Sequence, residues 1–374
     1  MAPAVWGANV VSFLLLSPTA ALPSVLPWSE WRLAFDRADY GSPAELAWRE
    51  SVYDTNVAMI MAHNNGPHGA TWQMGVNRFS DMNASEFAEW SGRMGSLRGA
   101  ATVAEVAVQR RAPSARDAAH LAAKRVALRS GELVDWRDEG AVTPIRNQIL
   151  CAGCYAFATA GALEGSYQIA TGELISLSVQ EILDCTHPGG NDCCVGGTFH
   201  ATFRFIMAGG LNSEEDYSFV STDGKSQQCW YAGMQRVVAT MSHYVDVASC
   251  DEEALAAAVL IAPVAVGVRA VSRVFQHYKS GVMSDGVHCG TEMTHAVLIV
   301  GITDEAYIIK NSWGEGFGDE GYIQLQRNWN ASDERGICGI AQIPVYAHSI
   351  PGTPLPLPPL NDQSTRPGPG PCGG

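Results

Sequence analysis

Basic residues are scarce in this 374-residue chain: 24 Lys and Arg stand against 38 Asp and Glu, a formal charge of −14. No Lys/Arg-dense stretch compensates, and binding to phosphate backbones needs one, so nucleic acid is excluded as a main partner. Charge of either sign is sparse at 17 %, while 47 % of residues are hydrophobic. General disorder is therefore excluded, and a sizeable core is expected. Also missing is an apolar run near the ~20 residues that cross a bilayer, so no membrane span is expected. The charge is uneven: residues 1–129 are nearly neutral and residues 130–346 are strongly acidic. Such a length suits one large folded unit plus an accessory segment, and the charge step hints that the two have different fates.

Cysteine, by contrast, is plentiful. There are 10, all but Cys372 lying between Cys151 and Cys338. That density fits an oxidising compartment. Residues 1–21 contain a short apolar run, Val10, Val11, Phe13 to Leu16, followed by Ser17, Thr19, Ala20 and Ala21. They read as a secretory signal cut near Ala20 or Ala21, although no Lys or Arg opens it; the competing reading is a buried segment of the mature fold. Asn83 and Asn330 begin Asn-Ala-Ser sequons, which would carry glycans in that pathway.

Residues 28–94 read as amphipathic helix at first: Leu46, Val52, Tyr53, Asn56, Ile60 and Asn64 share one face at three- and four-residue steps. Residues 95–129 are rich in Arg and Ala, with no clear period beyond a possible Ala-rich helix; with basic pairs at Arg110-Arg111 and Lys124-Arg125 exposed, they read as a cleavable linker. Residues 350–374 are rich in Pro and Gly and are expected to be a linker-like tail. In the body, residues 154–170 predict a helix with Phe157, Ala160, Leu163 and Tyr167 on one face. Residues 264–268, 296–302, 306–310 and 322–325 predict strands. Helices early and strands late imply an α+β fold.

The densest chemical signal runs from Asn147 to Phe157, with Gln148, Cys151, Ala152, Gly153, Cys154 and Tyr155. A cysteine opening a helix has its thiolate stabilised by the free amides and the helix dipole. His295 follows at the start of a predicted strand, then Asn311-Ser312-Trp313-Gly314. Cys151 and Cys154 also form a C-x-x-C, which with Cys193 and Cys194 permits a redox or zinc reading. Three further motifs are Val134-Asp135-Trp136-Arg137, Cys194-Val195-Gly196-Gly197, and Glu45, Arg49, Tyr53, Asn56, Ile60 and Asn64 followed by Gly75-Val76-Asn77-Arg78-Phe79-Ser80-Asp81.

Together these motifs resemble the papain-like cysteine proteases, cathepsin L-like branch, with its ERFNIN and GNFD propeptide patterns. The resemblance covers about residues 28–346. It implies a helical left domain and a β-barrel right domain, preceded by a helical inhibitory propeptide. The expected organisation is signal 1–21, propeptide and cleavable linker 22–129, peptidase 130–346, and tail 347–374. By resemblance Cys154 is the nucleophile, His295 its base, Asn311 the residue orienting the imidazole, Trp313 its cover, and Gln148 an oxyanion-hole donor. Gly196 and Gly197 would line the substrate cleft. Phe199, Gly267, Met293, Ala296 and Ile343 would form the apolar pocket for the second residue before the scissile bond. Three disulfides are implied, Cys151–Cys194, Cys185–Cys229 and Cys289–Cys338. Cys193, Cys250 and Cys372 are left over, with Cys193–Cys250 one option.

The implied protein is a monomeric zymogen of the secretory pathway, lysosomal or vacuolar or extracellular. Its partners would be peptide or protein substrates and its own propeptide as inhibitor. No metal or organic cofactor is implied. Acid would release the propeptide by disturbing Asp81 and its ion pairs. The chain departs from the family pattern at Tyr155 and Phe317, where Trp is usual, at Ala152-Gly153, and at Ile149-Leu150. Ala152 is expected to crowd the cleft or strain the backbone. The alternative reading is a weak or inactive papain-fold binding or storage protein.

Overall fold

The computed structural model describes residues 24–37, 39–94, 113–187, 190–225, 227–229, 238–284, 286–327 and 333–349. The expected signal, Arg110-Arg111, Asn330, Cys372 and the tail beyond Ser349 lie outside them.

The front of the chain is not one helix but a small packed unit. Trp28–Ala34 forms α1 and Pro43–Asn64 forms α2. Ser42 starts α2 by accepting from the Glu45 amide, with Pro43 pre-set in the first turn. Each patterned residue of α2 has a physical task. Arg49 pairs with Glu45 at 2.8 Å and donates to the Asp81 carbonyl. The Tyr53 hydroxyl donates to the Leu26 carbonyl at 2.7 Å. Asn56 donates to the carbonyls of Ser80 and Met82, and Asn64 both donates to and accepts from Met74. Ile60 is fully buried. Trp72–Met74 is strand β1, and Ala84–Met94 is α3, whose first amides are capped by Asn83. The Asn83 sequon therefore sits inside an ordered helix cap.

The expected linker is the clearest correction. Ala115–Arg129 forms helix α4, opened by a reciprocal capping box between Ser114 and Asp117. Lys124 and Arg125 are helical and ion-paired, to Glu132 and to Asp251 and Glu253, rather than freely exposed. Ala, Leu, Lys and Arg are good helix formers, as the possible Ala-rich helix anticipated, but the docking partners lie far away in sequence, so the composition did not show that the helix is held by the body.

The body begins with strand β2 (Val134–Asp135). Helices α5 (Cys154–Thr171), α6 (Val179–Cys185) and α7 (Phe199–Gly209) pack around one apolar core that includes Tyr155, Leu163, Ile182 and Phe203. Next come β3 (His243–Asp246), α8 (Glu252–Val259), β4 (Val264–Val268), α9 (Arg273–Gln276), β5 (Tyr278–Met283) and α10 (Gly286–Cys289). Strands β6 (His295–Ile302), β7 (Ala306–Lys310), β8 (Tyr322–Gln326) and β9 (Val345–His348) complete the body. The expected strand bounds at 264–268, 296–302, 306–310 and 322–325 agree with these to within a residue. The expected domain end at Tyr346 falls inside β9.

Among the described residues the strands run β1-β5-β8-β7-β6-β4-β9-β3, with β2 added to β6. Every residue of β4 and of β6 is buried, so a continuous apolar run rather than an alternating one is what these strands require. Strand β1 of the front unit extends this sheet, pairing antiparallel with β5 through Trp72 opposite Gly281 and Gln73 opposite Ser280. Residues of the front unit, from Trp31 to Phe87, share one apolar core with the β-rich half. The helical half and the β half are further joined by buried charge. Glu164 of α5 accepts from Thr143, from Arg146 and from the Leu177 amide, and Lys310 of β7 donates to Thr143.

The described disulfides are Cys151–Cys194, Cys185–Cys229 and Cys289–Cys338. Cys250 is not disulfide-bonded, so the Cys193–Cys250 option is not realised.

Candidate active site

Cys154 opens α5 at the junction of the two halves. Its predecessor Gly153 is the N-cap, and a side chain there would come within 2.9 Å of Leu183 Cδ2, so the loop approaches too closely for a larger residue. The Cys151–Cys194 bridge and an Ala152 N–H to Cys194 carbonyl bond of 3.0 Å hold this loop from the other side. Burial pushes the Cys154 thiol up to about 12, against the pull of the amides of Ala296, Tyr155 and Cys154 beside the sulfur. The Ala296 amide belongs to the residue after His295, which brings nucleophile and base to one place.

His295 begins β6, and its Nε2 lies 2.8 Å from Asn311 Oδ1 at the end of β7. Its Nδ1 makes no hydrogen bond among the described residues. The ring stacks on Trp313, 4.7 Å between centroids and 28° between planes. Burial pushes His295 down to about 4, only partly offset by Asn311. Both effects favour a neutral thiol and a neutral imidazole, the unreactive form of the pair.

Gln148 is fully buried. Its Nε2 donates to the Cys151 carbonyl at 2.8 Å, and its Oε1 accepts from Ser312 Oγ at 2.6 Å. The expected strain at Ala152 is absent; it falls instead on Ile149, whose φ is +52°, a region that β-branched side chains rarely adopt.

The expected cleft residues come together. A side chain on Gly267 would stand 2.8 Å from Met293 Sδ and 3.1 Å from Ile343 Cδ1. Gly267 pairs with Ala296 across β4 and β6. Phe199, Ala296 and Ile343 share one buried cluster, with Met293 packed against it. On the other wall Gly196 has a φ of +142° and Gly197 leaves no room for a side chain against Asn191 and Tyr155. The Tyr155 hydroxyl donates to the Cys193 carbonyl at 3.0 Å, fixing the turn that precedes this wall.

Sequence reading missed an aromatic contact from the front unit. Phe79, Phe87 and Trp90 pack on Trp313 at 5.7, 6.0 and 5.2 Å, while Phe275 and Phe317 flank it from the body. The i, i+3 spacing of Phe87 and Trp90 was the available signal. Helix α3 also packs against β6 and the Cys193–Val195 turn, so the front unit reaches elements on both sides of the site. Two of the four thiols required by the zinc reading are consumed by the Cys151–Cys194 bridge, and among the described residues no cluster of His, Cys, Asp and Glu forms a metal site.

Comparison with known proteins accords with this geometry. Residues 131–348 match the family described as papain family cysteine protease, and residues 28–87 match the cathepsin propeptide inhibitor domain (I29). Germination-specific cysteine protease 1 of Arabidopsis thaliana is 39 % identical over 300 residues, covering 78 % of this chain and 75 % of that one. Procathepsin L of Rattus norvegicus is 33 % identical over 332 residues, covering 85 % and 90 %. The solved structure of digestive procathepsin L 3 of Tenebrio molitor superposes with a TM-score of 0.69 at 31 % identity, covering 86 % and 97 %. The chain thus belongs to the papain family of cysteine proteases, as a cysteine endopeptidase carrying its own cathepsin-type propeptide.

Proposed function

We propose that the chain is an acid-activated zymogen of the secretory pathway whose monomeric product, lysosomal or vacuolar or extracellular, cleaves peptide bonds through Cys154, His295, Asn311 and Gln148. The observation carrying this reading is the 2.8 Å bond from His295 to Asn311 under the Trp313 ring, with Cys154 at the helix start beside Ala296. Once the propeptide leaves, water and mutual charge favour the thiolate–imidazolium pair. The Cys154 sulfur attacks the scissile carbonyl carbon, forming a C–S bond, and the oxyanion is met by the Gln148 amide and the Cys154 N–H. Collapse breaks the C–N bond, and His295 gives its proton to the leaving amine. Water, deprotonated by His295, then hydrolyses the thioester, releasing the acid and regenerating Cys154. Asn311 holds the ring in the orientation both transfers need.

The pocket of Phe199, Gly267, Met293, Ala296 and Ile343 is apolar and supports a preference for Leu, Val or Phe as the second residue before the cut. Mass-spectrometric mapping after acid incubation with an epoxide thiol-protease inhibitor tests the mechanism. Labelling confined to Cys154 is expected; a labelled Cys250 with Cys154 untouched would refute it.

A further inference from the structure

The two family matches leave residues 88–130 uncovered, and α4 occupies the end of that gap. We propose that α4 is a permanent part of the mature enzyme: the maturation cut falls ahead of Ser114, and the helix stays docked at the new N-terminus. The proposal rests on the zymogen reading above and replaces the expected cut near Arg129–Ser130.

The first support is that α4 is closed at both ends. Ser114 and Asp117 cap its start. At its end the Ser130 amide bonds to Val126 and Ala127, Gly131 to Leu128 and Glu132 to Ala127, at 3.0 to 3.1 Å. Gly131 takes a φ of +87°, the left-handed stop that glycine supplies best. The Arg129–Ser130 bond lies inside this hydrogen-bonded turn. Proteases bind their substrates extended, so cleavage there requires the last turn to unwind.

The second is that α4 is held by the body. Arg125 pairs with Asp251 and, at 3.5 Å, with Glu253 at the start of α8; Arg129 pairs with the same Glu253 at 2.6 Å. Leu121 is buried in the core of the β half, and Ala127 and Leu128 pack against it. Asp117, itself buried, lies 3.2 Å from Nε2 of His243 on β3, whose ring stacks on His348 of β9 at 4.7 Å. A cut at Arg129 would leave this apolar and charged seat uncovered.

The third is that the seat tolerates acid. Burial works against the Asp117 carboxylate, yet the Ser114 hydroxyl and His243 hold it below its ordinary value; Arg116, His348 and Tyr346 are the other titratable groups around it. Glu253 is held down by Arg129 first and then Arg125, with Asp251 opposing. Carboxylates so depressed keep their pairs above their ordinary range and lose them only as pH falls through the depressed values. Helix α4 lies just ahead of the family match that starts at residue 131 and outside both matched segments.

Two digestions of the full chain decide the matter. In the first, the wild type is incubated in acid and the product's N-terminus is sequenced; retention of residues 114–129 is expected, and a start at Ala115 or later overturns the proposal. In the second, the Cys154→Ala chain is treated with trypsin, so no self-processing is needed. If acid yields no product, the zymogen reading fails, while trypsin still reports on α4. Cutting after Lys124, Arg125 and Arg129 should be slow, and about tenfold faster in a Glu253→Lys variant that leaves those sites in place. Rapid cutting in both chains, or equal rates, overturns the proposal.

Discussion

Ser312 Oγ donates to Gln148 Oε1 at 2.6 Å, and the Gln148 backbone N–H donates in turn to the Ser312 carbonyl at 2.9 Å. This double bond pair ties the loop ahead of the nucleophile to the segment that follows Asn311, across the junction of the two halves. On the role proposed for Gln148, Ser312 is a positioning residue for the oxyanion-hole donor. Ser312→Ala should lower kcat about tenfold with KM nearly unchanged, since an aimed donor acts on the transition state. Steady-state kinetics on the matured variant check this; an unchanged kcat would show that the hydroxyl is dispensable.

Ile149 holds a left-handed backbone conformation one residue after Gln148. Such strain on a β-branched residue costs of the order of 1–3 kcal/mol, part of which glycine forfeits through its looser unfolded chain. Ile149→Gly is expected to stabilise the protein by about 1 kcal/mol, a Tm rise of roughly 2–4 °C. A lower Tm in calorimetry would place the strain elsewhere.

His277 is wholly buried beside the propeptide's Gly75 backbone, its carbonyl accepting from the Gly75 amide at 2.8 Å. Neither ring nitrogen hydrogen-bonds among the described residues. Burial, with Arg273 adding to it, pushes the imidazole down to about 3. Where release exposes the ring and returns it toward the ordinary 6.5, the docked state loses stability as pH falls from about 6.5 toward 3. By pH 4.5 the loss is on the order of 2–3 kcal/mol. His277→Leu should therefore move the midpoint of acid processing to lower pH, read on gels across a pH series. An unchanged midpoint would leave the release to other groups, Asp81 with Arg37 and Tyr40 among them.

Ile343 closes the pocket that Gly267 and Met293 share. Ile343→Glu should convert the preference at that subsite from Leu or Phe toward Arg, because a carboxylate there meets a guanidinium in a largely apolar site. Cleavage profiling with a peptide library measures the switch. Arg preference already present in the parent enzyme would contradict the apolar reading.

In the body, apolar patterning placed the main elements, whereas the helical reading of residues 28–94 resolved into helices α1, α2 and α3 and strand β1. The β4, β6 and β7 strands stood out because both faces are largely buried, giving apolar runs, and β8 stood out by its alternation of buried Ile323 and Leu325 with half-buried neighbours. The α5 start and the His295–Asn311–Trp313 grouping were legible because their chemistry demands specific residue types. Helix α4 was legible only as a possible Ala-rich helix, and its docking was not, since its anchors, Asp251 and Glu253, lie far along the chain. Ile149's strain was misplaced onto Ala152 because φ there is dictated by the Asn147 side chain, which accepts from the Ile149 amide at 2.9 Å. The i, i+3 spacing of Phe87 and Trp90 marks an apolar pair, but their contacts with Trp313 depend on docking between units, which that spacing does not encode.

The most direct test is hydrolysis of a Leu- or Phe-containing fluorogenic peptide after acid incubation of the full chain, beside a Cys154→Ala control. The account predicts activity that appears with loss of the front unit, is abolished by an epoxide thiol-protease inhibitor, and is absent from the control. Processed protein that hydrolyses nothing, or hydrolysis that survives Cys154→Ala, would contradict it.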